Sequence, residues 1–326
     1  MTAARPCPPR PPRRRPAEAA QPAAATRPVE RACPSCGHAG ELRDSFCEAC
    51  GVRLEPVAAT DGQAPVGRDH QELDLGLVAG ISDRGRRHPR NEDALALATV
   101  ETGGGPVVIA VLCDGISSAD RPDEASLAAA QAAAAHLAAA VPAGVSTSGA
   151  SVQAVQVARA AVRALARPGE EEPAATYLSA VLTRGTVTLC WLGDSRGYWL
   201  DRWPQPGGQQ LTQDDSLAAE LVAAGELAAA DVLTAPEAHV VTRWIGADDD
   251  EEEPHVAQFA PPGPGVLLLC SDGLWNYAPE PERLSALAMP AALTDPAGAA
   301  TALVQFALDA GGMDNITVAL APFPPV

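Results

Sequence analysis

The sequence predicts an α+β domain whose sheets are mostly antiparallel. Three observations carry that prediction. Short apolar runs rich in β-branched residues recur along residues 73–326, and runs of that length read as strands buried on both faces. Polar turns such as Thr183-Arg-Gly-Thr186 join some of them, which suits hairpins and so antiparallel pairing. Strands and helices also come in blocks rather than in strict alternation. Hydrophobic residues make up 47% of the 326-residue chain, enough for a large core.

Taken in order, residues 73–81 read as a strand turned by Ser82-Asp-Arg-Gly85. Residues 93–98 form a second strand. The third, 107–112, lies in Val107-Val-Ile-Ala-Val-Leu-Cys-Asp-Gly115 and follows Gly103-Gly-Gly-Pro106. A helix over 125–140 follows Pro122-Asp-Glu124, whose acids suit a helix N-terminus. A helix over 151–167 has Ser151 as cap, apolar Val152, Val155, Ala158, Val162 and Leu165 at helical spacing, and Pro168-Gly169 as stop. Residues 176–182 and 187–192 form a hairpin, and 198–200 continue the meander. Residues 216–230 read as a helix, 266–269 as a strand and 282–289 as a short helix. The last helix spans 296–310, with Asp295 as cap, Pro296 in the first position and Gly311-Gly312 beyond its end. A strand over 315–321 closes the domain.

Upstream, residues 1–32 are rich in Pro, Arg and Ala, a composition expected to be disordered. Residues 33–54 carry Cys33-Pro-Ser-Cys36-Gly37 and Cys47-Glu-Ala-Cys50-Gly51, with ten residues between the pairs. Two Cys-x-x-Cys-Gly knuckles offer four soft ligands to one tetrahedral ion, so Cys33, Cys36, Cys47 and Cys50 are expected to hold a structural Zn²⁺ in a zinc ribbon. Two disulfides would need an oxidising compartment, which nothing else in the sequence suggests. Residues 55–72 read as a linker. Cys113, Cys190 and Cys270 sit inside apolar runs and read as small core residues.

The net charge is −18, and residues 73–326 carry 32 of the 41 acids but only 13 of the 23 basic residues, all of them Arg. Such a domain is a poor nucleic-acid binder, because that affinity comes mostly from neutralising phosphates. No segment is apolar enough to span a membrane, and no secretory signal is evident, so a cytoplasmic location is expected. The run Asp248–Glu253 reads as a solvated loop, Arg196 as an ion-pair partner and Trp244 as a packing residue.

The apolar runs share an ending. Val107–Leu112 leads to Asp114, Val187–Leu192 to Asp194 and Val266–Leu269 to Asp272, while Asp314 leads into the last strand. Carboxylates that converge at strand ends require cations to neutralise them. Hard oxygen donors of this kind suit Mg²⁺ or Mn²⁺. The Gly115 carbonyl is sterically open to an ion. Arg86-Arg-His-Pro-Arg90 supplies cations beside Asn91-Glu-Asp93, a fitting place for phosphate oxygens.

The ordered set Asn91-Glu-Asp93, Asp114-Gly115, Gly193-Asp-Ser-Arg196, Leu211-Thr-Gln-Asp-Asp-Ser216, Ser271-Asp-Gly273 and Asp314-Asn-Ile-Thr317 resembles the metal-dependent serine/threonine protein phosphatases of type 2C, particularly bacterial members. The resemblance covers nearly all of 73–326. It implies a four-layer α-β-β-α sandwich of two antiparallel sheets and a centre of two Mn²⁺ or Mg²⁺ ions. In that scheme Asp114, Asp272 and Asp314 carry catalysis. Asp114 bridges both metals, the Gly115 carbonyl binds the first, and Asp272 and Asp314 bind the second. Glu92 and Asp93 act through coordinated waters, and Asp194 with Asp272 holds a weak third metal. Direct attack by a metal-bridged hydroxide then hydrolyses phosphoserine and phosphothreonine on substrates of serine/threonine kinases.

Two positions depart from the family pattern. His88 stands where an arginine usually grips the phosphate, so His88, Arg87 and Arg90 are the candidate substrate-binding cations. Ile116 stands where eukaryotic members carry a histidine that serves as general acid, which leaves His88 or a bound water for that role. Two other readings compete: a catalytically weak adaptor using the ribbon for protein recognition, and a metal nuclease, which the acidic domain disfavours. The ribbon's role stays open among recruiting a substrate, a protein partner or the chain's own catalytic domain.

Overall fold

The computed structural model describes residues 30–32, 39–41, 69–169, 171–201, 207–235, 237, 240–246, 253–289 and 291–325. Contacts divide the chain into two units, Met1–Pro65 and Val66–Val326. In the first, β1 (Glu30–Ala32) pairs antiparallel with β2 (Ala39–Glu41). The four ribbon cysteines, most of the expected tail and linker, and Asp248–Glu252 lie outside the described residues.

The second unit opens with β3 (His70–Asp74) and β4 (Ala79–Asp83), where the sequence suggested one strand over 73–81 and a linker through 72. The chain reverses between them because Gly76 takes φ 77°, a left-handed conformation open to glycine, and donates its amide to Asp74 Oδ1 at 2.8 Å. There follow β5 (Asp93–Thr102), β6 (Gly105–Asp114), α1 (Pro122–Ala140), α2 (Thr147–Arg163), β7 (Ala174–Ala175), β8 (Tyr177–Leu182) and β9 (Val187–Leu192). Next come β10 (Arg196–Asp201), β11 (Gly207–Gln210), α3 (Leu217–Ala223), β12 (Ile245–Gly246), β13 (His255–Phe259) and β14 (Gly265–Cys270). The chain ends in α4 (Asp272–Trp275), α5 (Pro281–Ala288), α6 (Pro296–Ala310) and β15 (Ile316–Phe323).

Two sheets organise this unit. One runs β13-β9-β8-β6-β5 and the other β11-β10-β14-β15-β4-β3, with every described pairing antiparallel. Period-two alternation sends the side chains of the central strands into two different cores. On β6, Val107, Ile109, Val111 and Cys113 pack with the alanine-rich faces of α1 and α2. Val108, Ala110 and Leu112 pack between the sheets with Leu178, Leu189, Trp199 and Leu267. On β14, Val266, Leu268 and Cys270 join a third core beneath α4, α5 and α6. The architecture is therefore a four-layer α-β-β-α sandwich. Both faces of each central strand are buried, which is why those strands read as nearly continuous apolar runs. Burial pushes the thiols of Cys113, Cys190 and Cys270 upward, so all three are inert core residues.

Several boundaries differ from the sequence reading. The second long helix is capped by Ser146, whose Oγ accepts from Gly149 N at 3.2 Å, so it starts at Thr147 rather than Ser151. Ser151 is instead buried. The helix expected over 216–230 stops at Ala223, near Gly225 with φ 76°, and a 3₁₀ turn follows at Ala229–Thr234. Strands β11 and β13 had no clear apolar signal; β13 alternates half-buried and exposed residues at its sheet's edge. Among the described residues no helix is long and apolar enough to cross a membrane.

Candidate active site

The ends of the central strands place the acids. Asp114 ends β6 opposite Asp93, the first residue of β5. Asp114 is fixed by exchange with Thr176: its amide donates to Thr176 Oγ1 at 3.0 Å, and its carbonyl accepts from Thr176 N at 2.7 Å. In the other sheet β14 delivers Asp272 into the first turn of α4, and Asp314 sits just before β15. Asp194 lies in the β9–β10 turn, buried, its carbonyl accepting from Trp275 Nε1 at 3.0 Å. Asp114, Gly115, Asp194, Asp272 and Asp314 line one cleft of about 1090 Å³. At Gly115 a Cβ would sit 2.6 Å from the Pro122 carbonyl oxygen, so only glycine lets the strand end lie this close to α1.

Glu92 and Asp93 form the inner layer. Asp93 Oδ2 accepts from Ser271 Oγ at 2.8 Å and Thr317 Oγ1 at 2.7 Å, while its buried Oδ1 has no hydrogen-bond partner. Glu92 accepts from Arg90 Nε at 3.0 Å and from Ser117 Oγ at 2.6 Å. Asn315 holds the preceding loop: its Oδ1 accepts from Glu92 N at 2.7 Å, and its Nδ2 donates to the Arg84 and Arg90 carbonyls at 2.8 and 3.0 Å. Thr317 Oγ1 also lies 2.7 Å from Ser82 Oγ, which accepts from Asn91 Nδ2 at 2.8 Å. The Asn-Glu-Asp and Asp-Asn-Ile-Thr motifs are thus one structural unit.

The electrostatics reveal the convergence. Burial raises the Asp114 pKa well above the carboxylate range, and repulsion from Asp93, Asp272, Asp194 and Asp314 raises it further. Asp93 is raised by burial against the pull of its two hydroxyl donors, with Asp314 adding repulsion. Asp194 is raised by burial and then by Asp272 and Asp214. Asp314 is raised by burial and Asp272, with His88 opposing. Surplus negative charge, hard oxygen donors and an orphaned buried oxygen on Asp93 all fit divalent cations of the Mg²⁺ or Mn²⁺ type. Among the described residues no three His, Cys, Asp or Glu side chains close into a ready cage. An open rim of acids suits ions that retain several waters.

The three candidate cations take different positions. His88 Nε2 lies 3.1 Å from Asp314 Oδ1. Arg90 pairs with Glu92 and, at 3.5 Å, with Asp123. Arg87 is exposed. None of the three is among the described residues lining the cleft.

Sequence reasoning missed a second polar network. Asp215 Oδ2 accepts from Gly193 N at 3.0 Å, and Oδ1 meets His255 Nε2 at 2.8 Å and Arg243 Nη1 at 3.4 Å. It steadies the turn carrying Asp194. Thr242 N donates to the Asp215 carbonyl at 2.9 Å, and Leu217 N to the Val240 carbonyl at 2.8 Å, so the segment between is joined at its base. The paired acids of Leu211-Thr-Gln-Asp-Asp-Ser216 were the available signal. Arg196 makes the expected ion pair, bonding Asp214 through Nε and Nη2 with a closest approach of 2.7 Å, and lies over the Trp275 ring. Trp244, expected to pack, is half-buried and lines the cleft.

Residues 83–306 match the family described as protein phosphatase 2C. The chain belongs to the protein phosphatase 2C family. The serine/threonine phosphatase stp of Listeria monocytogenes (serovar 1/2a) is 35% identical over 147 residues, 44% of this chain and 55% of that protein. The chain thus spans about half the length of the curated relatives it matches. Among solved structures, the PstP/Ppp serine/threonine phosphatase of Mycobacterium tuberculosis superposes with a TM-score of 0.63 at 30% identity, over 76% of this chain and 97% of that one. The PstP catalytic domain in complex with two manganese ions gives 0.62 at 26% identity, over the same shares.

Proposed function

We propose that this chain is a Mn²⁺- or Mg²⁺-dependent protein phosphatase acting on phosphoserine and phosphothreonine. The observation that carries the reading is the meeting of Asp114, Asp194, Asp272 and Asp314 in one cleft, each delivered by a strand end or turn and with Asp93 and Asp272 raising Asp114. The relatives' names and the manganese-bound relative support it. Asp114, the Gly115 carbonyl, Asp272 and Asp314 would hold two ions, with Glu92 and Asp93 acting on their waters and Asp194 available to a third. Ions held there would lower the pKa of a coordinated water and neutralise phosphoryl oxygens.

The protein supplies position. The Thr176 exchange and the β5–β6 register fix Asp114, and Ser271 and Thr317 orient Asp93. His88 and Arg90 are held by Asp314 and Glu92, so the loop that also carries Arg87 is anchored beside the site, where these cations would meet phosphate oxygens. The adaptor reading is not favoured, because no acid of the set is missing.

Metal-dependent hydrolysis of a phosphothreonine peptide tests this reading. Wild type should turn over with Mn²⁺ and stop with chelator, and Asp272→Asn should lose roughly a hundredfold or more in kcat/KM. No turnover in wild type with metal, or equal turnover in the variant, would sink it.

The organisation proposed for the rest of the chain is a Pro/Arg-rich tail at 1–32, a zinc ribbon at 33–54 that recruits a protein partner, a linker that ends before β3 rather than at residue 72, and the phosphatase domain beyond. The four ribbon thiols would stay reduced in the cytoplasm, where we place the protein. About one zinc per chain is expected, lost in Cys33→Ser; full zinc retention in that variant removes the ribbon.

A further inference from the structure

The cleft has lining residues that catalysis does not use. Glu171 and Glu172 lie on it with exposed side chains. Their segment is pinned: Glu171 N donates to Asp120 Oδ2 at 2.8 Å, and Ile116 N donates to the Ala174 carbonyl at 3.0 Å. Gly115 bridges Ala175. The two glutamates are therefore carried by a segment bonded to the strand end that bears Asp114. Ile116, Val240, Val241, Trp244, Tyr277 and Met313 line the same cleft, with Val240 47% and Met313 57% exposed.

The inner acids and this pair differ in electrostatic role. Divalent ions would offset Asp114, Asp194, Asp272 and Asp314, but their charge is then shared with the incoming phosphoryl group. Glu171 and Glu172 have no ion-pair partner among the described residues and lie exposed at the cleft surface. Among the described lining residues none is Arg or His, and the chain contains no Lys.

We propose that the cleft selects phosphopeptides carrying Arg or Lys beside the phosphorylated residue, with Glu171 and Glu172 reading those flanking charges. The proposal rests on the phosphatase reading and names its substrate class. The phosphoryl group is drawn inward, the apolar lining takes the peptide's carbon surface, and the glutamate pair meets a basic flank. An acidic flank brings like charges together at the same place. Both glutamates are exposed, so the preference is of modest size and weakens with salt.

The test uses the full chain with Mn²⁺ and two phosphothreonine peptides of one sequence, differing only in Arg or Glu flanks. The ratio of their kcat/KM values is read within each protein, and their affinities by fluorescence anisotropy. Wild type should favour the Arg-flanked peptide about fivefold to tenfold, through KM, with the ratio falling as salt is raised. Glu171→Gln/Glu172→Gln should bring the ratio toward one, and Glu171→Arg/Glu172→Arg should invert it. Equal affinity and equal kcat/KM in wild type overturn the proposal, as does a preference that survives the charge reversal. Absence of turnover with both peptides contradicts the phosphatase reading instead, while unequal binding still supports the preference.

Discussion

Asp93 shows what a single residue contributes here. One carboxylate oxygen takes two hydroxyl donors, the other is buried with none, and Asp114 stands opposite across the β5–β6 ladder. Burial of this kind is costly unless something positive completes it. Arg196 shows the completed case. Its guanidinium and Asp214 are both nearly buried, and the pair carries two donors on a single carboxylate. Asp214→Ala would leave that cation without its partner, and a loss of about 3–5 kcal/mol is expected. Denaturant unfolding measures it; a change below about 1 kcal/mol would mean that Arg196 is satisfied by Tyr198 and Trp275 alone.

At the scale of elements, local chemistry decides where helices begin. The sequence reading took Ser151 as the cap, but it is Ser146 whose Oγ accepts from the first turn, at Gly149 N. Ser146→Ala should therefore cost about 1 kcal/mol, seen as a lower Tm; an unchanged Tm would assign the cap elsewhere. The contrast also explains what was legible. Strand β6 was visible because two cores bury alternate residues of one apolar run, and Asp114 because it breaks that run. The last helix was visible because Asp295, Pro296 and Gly311 mark both of its ends. Strand β13 is half-exposed and carries no such run. The Asp215–His255–Arg243 network joins residues up to 40 positions apart, and the Ser82–Thr317 contact spans 235. Nothing local announces such pairings, since they exist only once the sheets are packed. The six motifs were legible as an ordered set; the work of Asn315 and Thr317 within them was not.

For the whole molecule, the sandwich gathers strand ends and turns from both sheets into one acidic cleft, within a chain of net charge −18. Repulsion among those acids destabilises the metal-free fold, so cations that bind only the folded state should stabilise it, by about 2.7 kcal/mol for a site at a hundredfold excess over Kd. The central claim is that these carboxylates form a cation site, and calorimetric titration of the metal-free chain with Mn²⁺ tests it most directly. About two ions should bind to the wild type, with this binding largely lost in Asp114→Ala. No binding by wild type, or an unaltered isotherm in Asp114→Ala, would contradict the account.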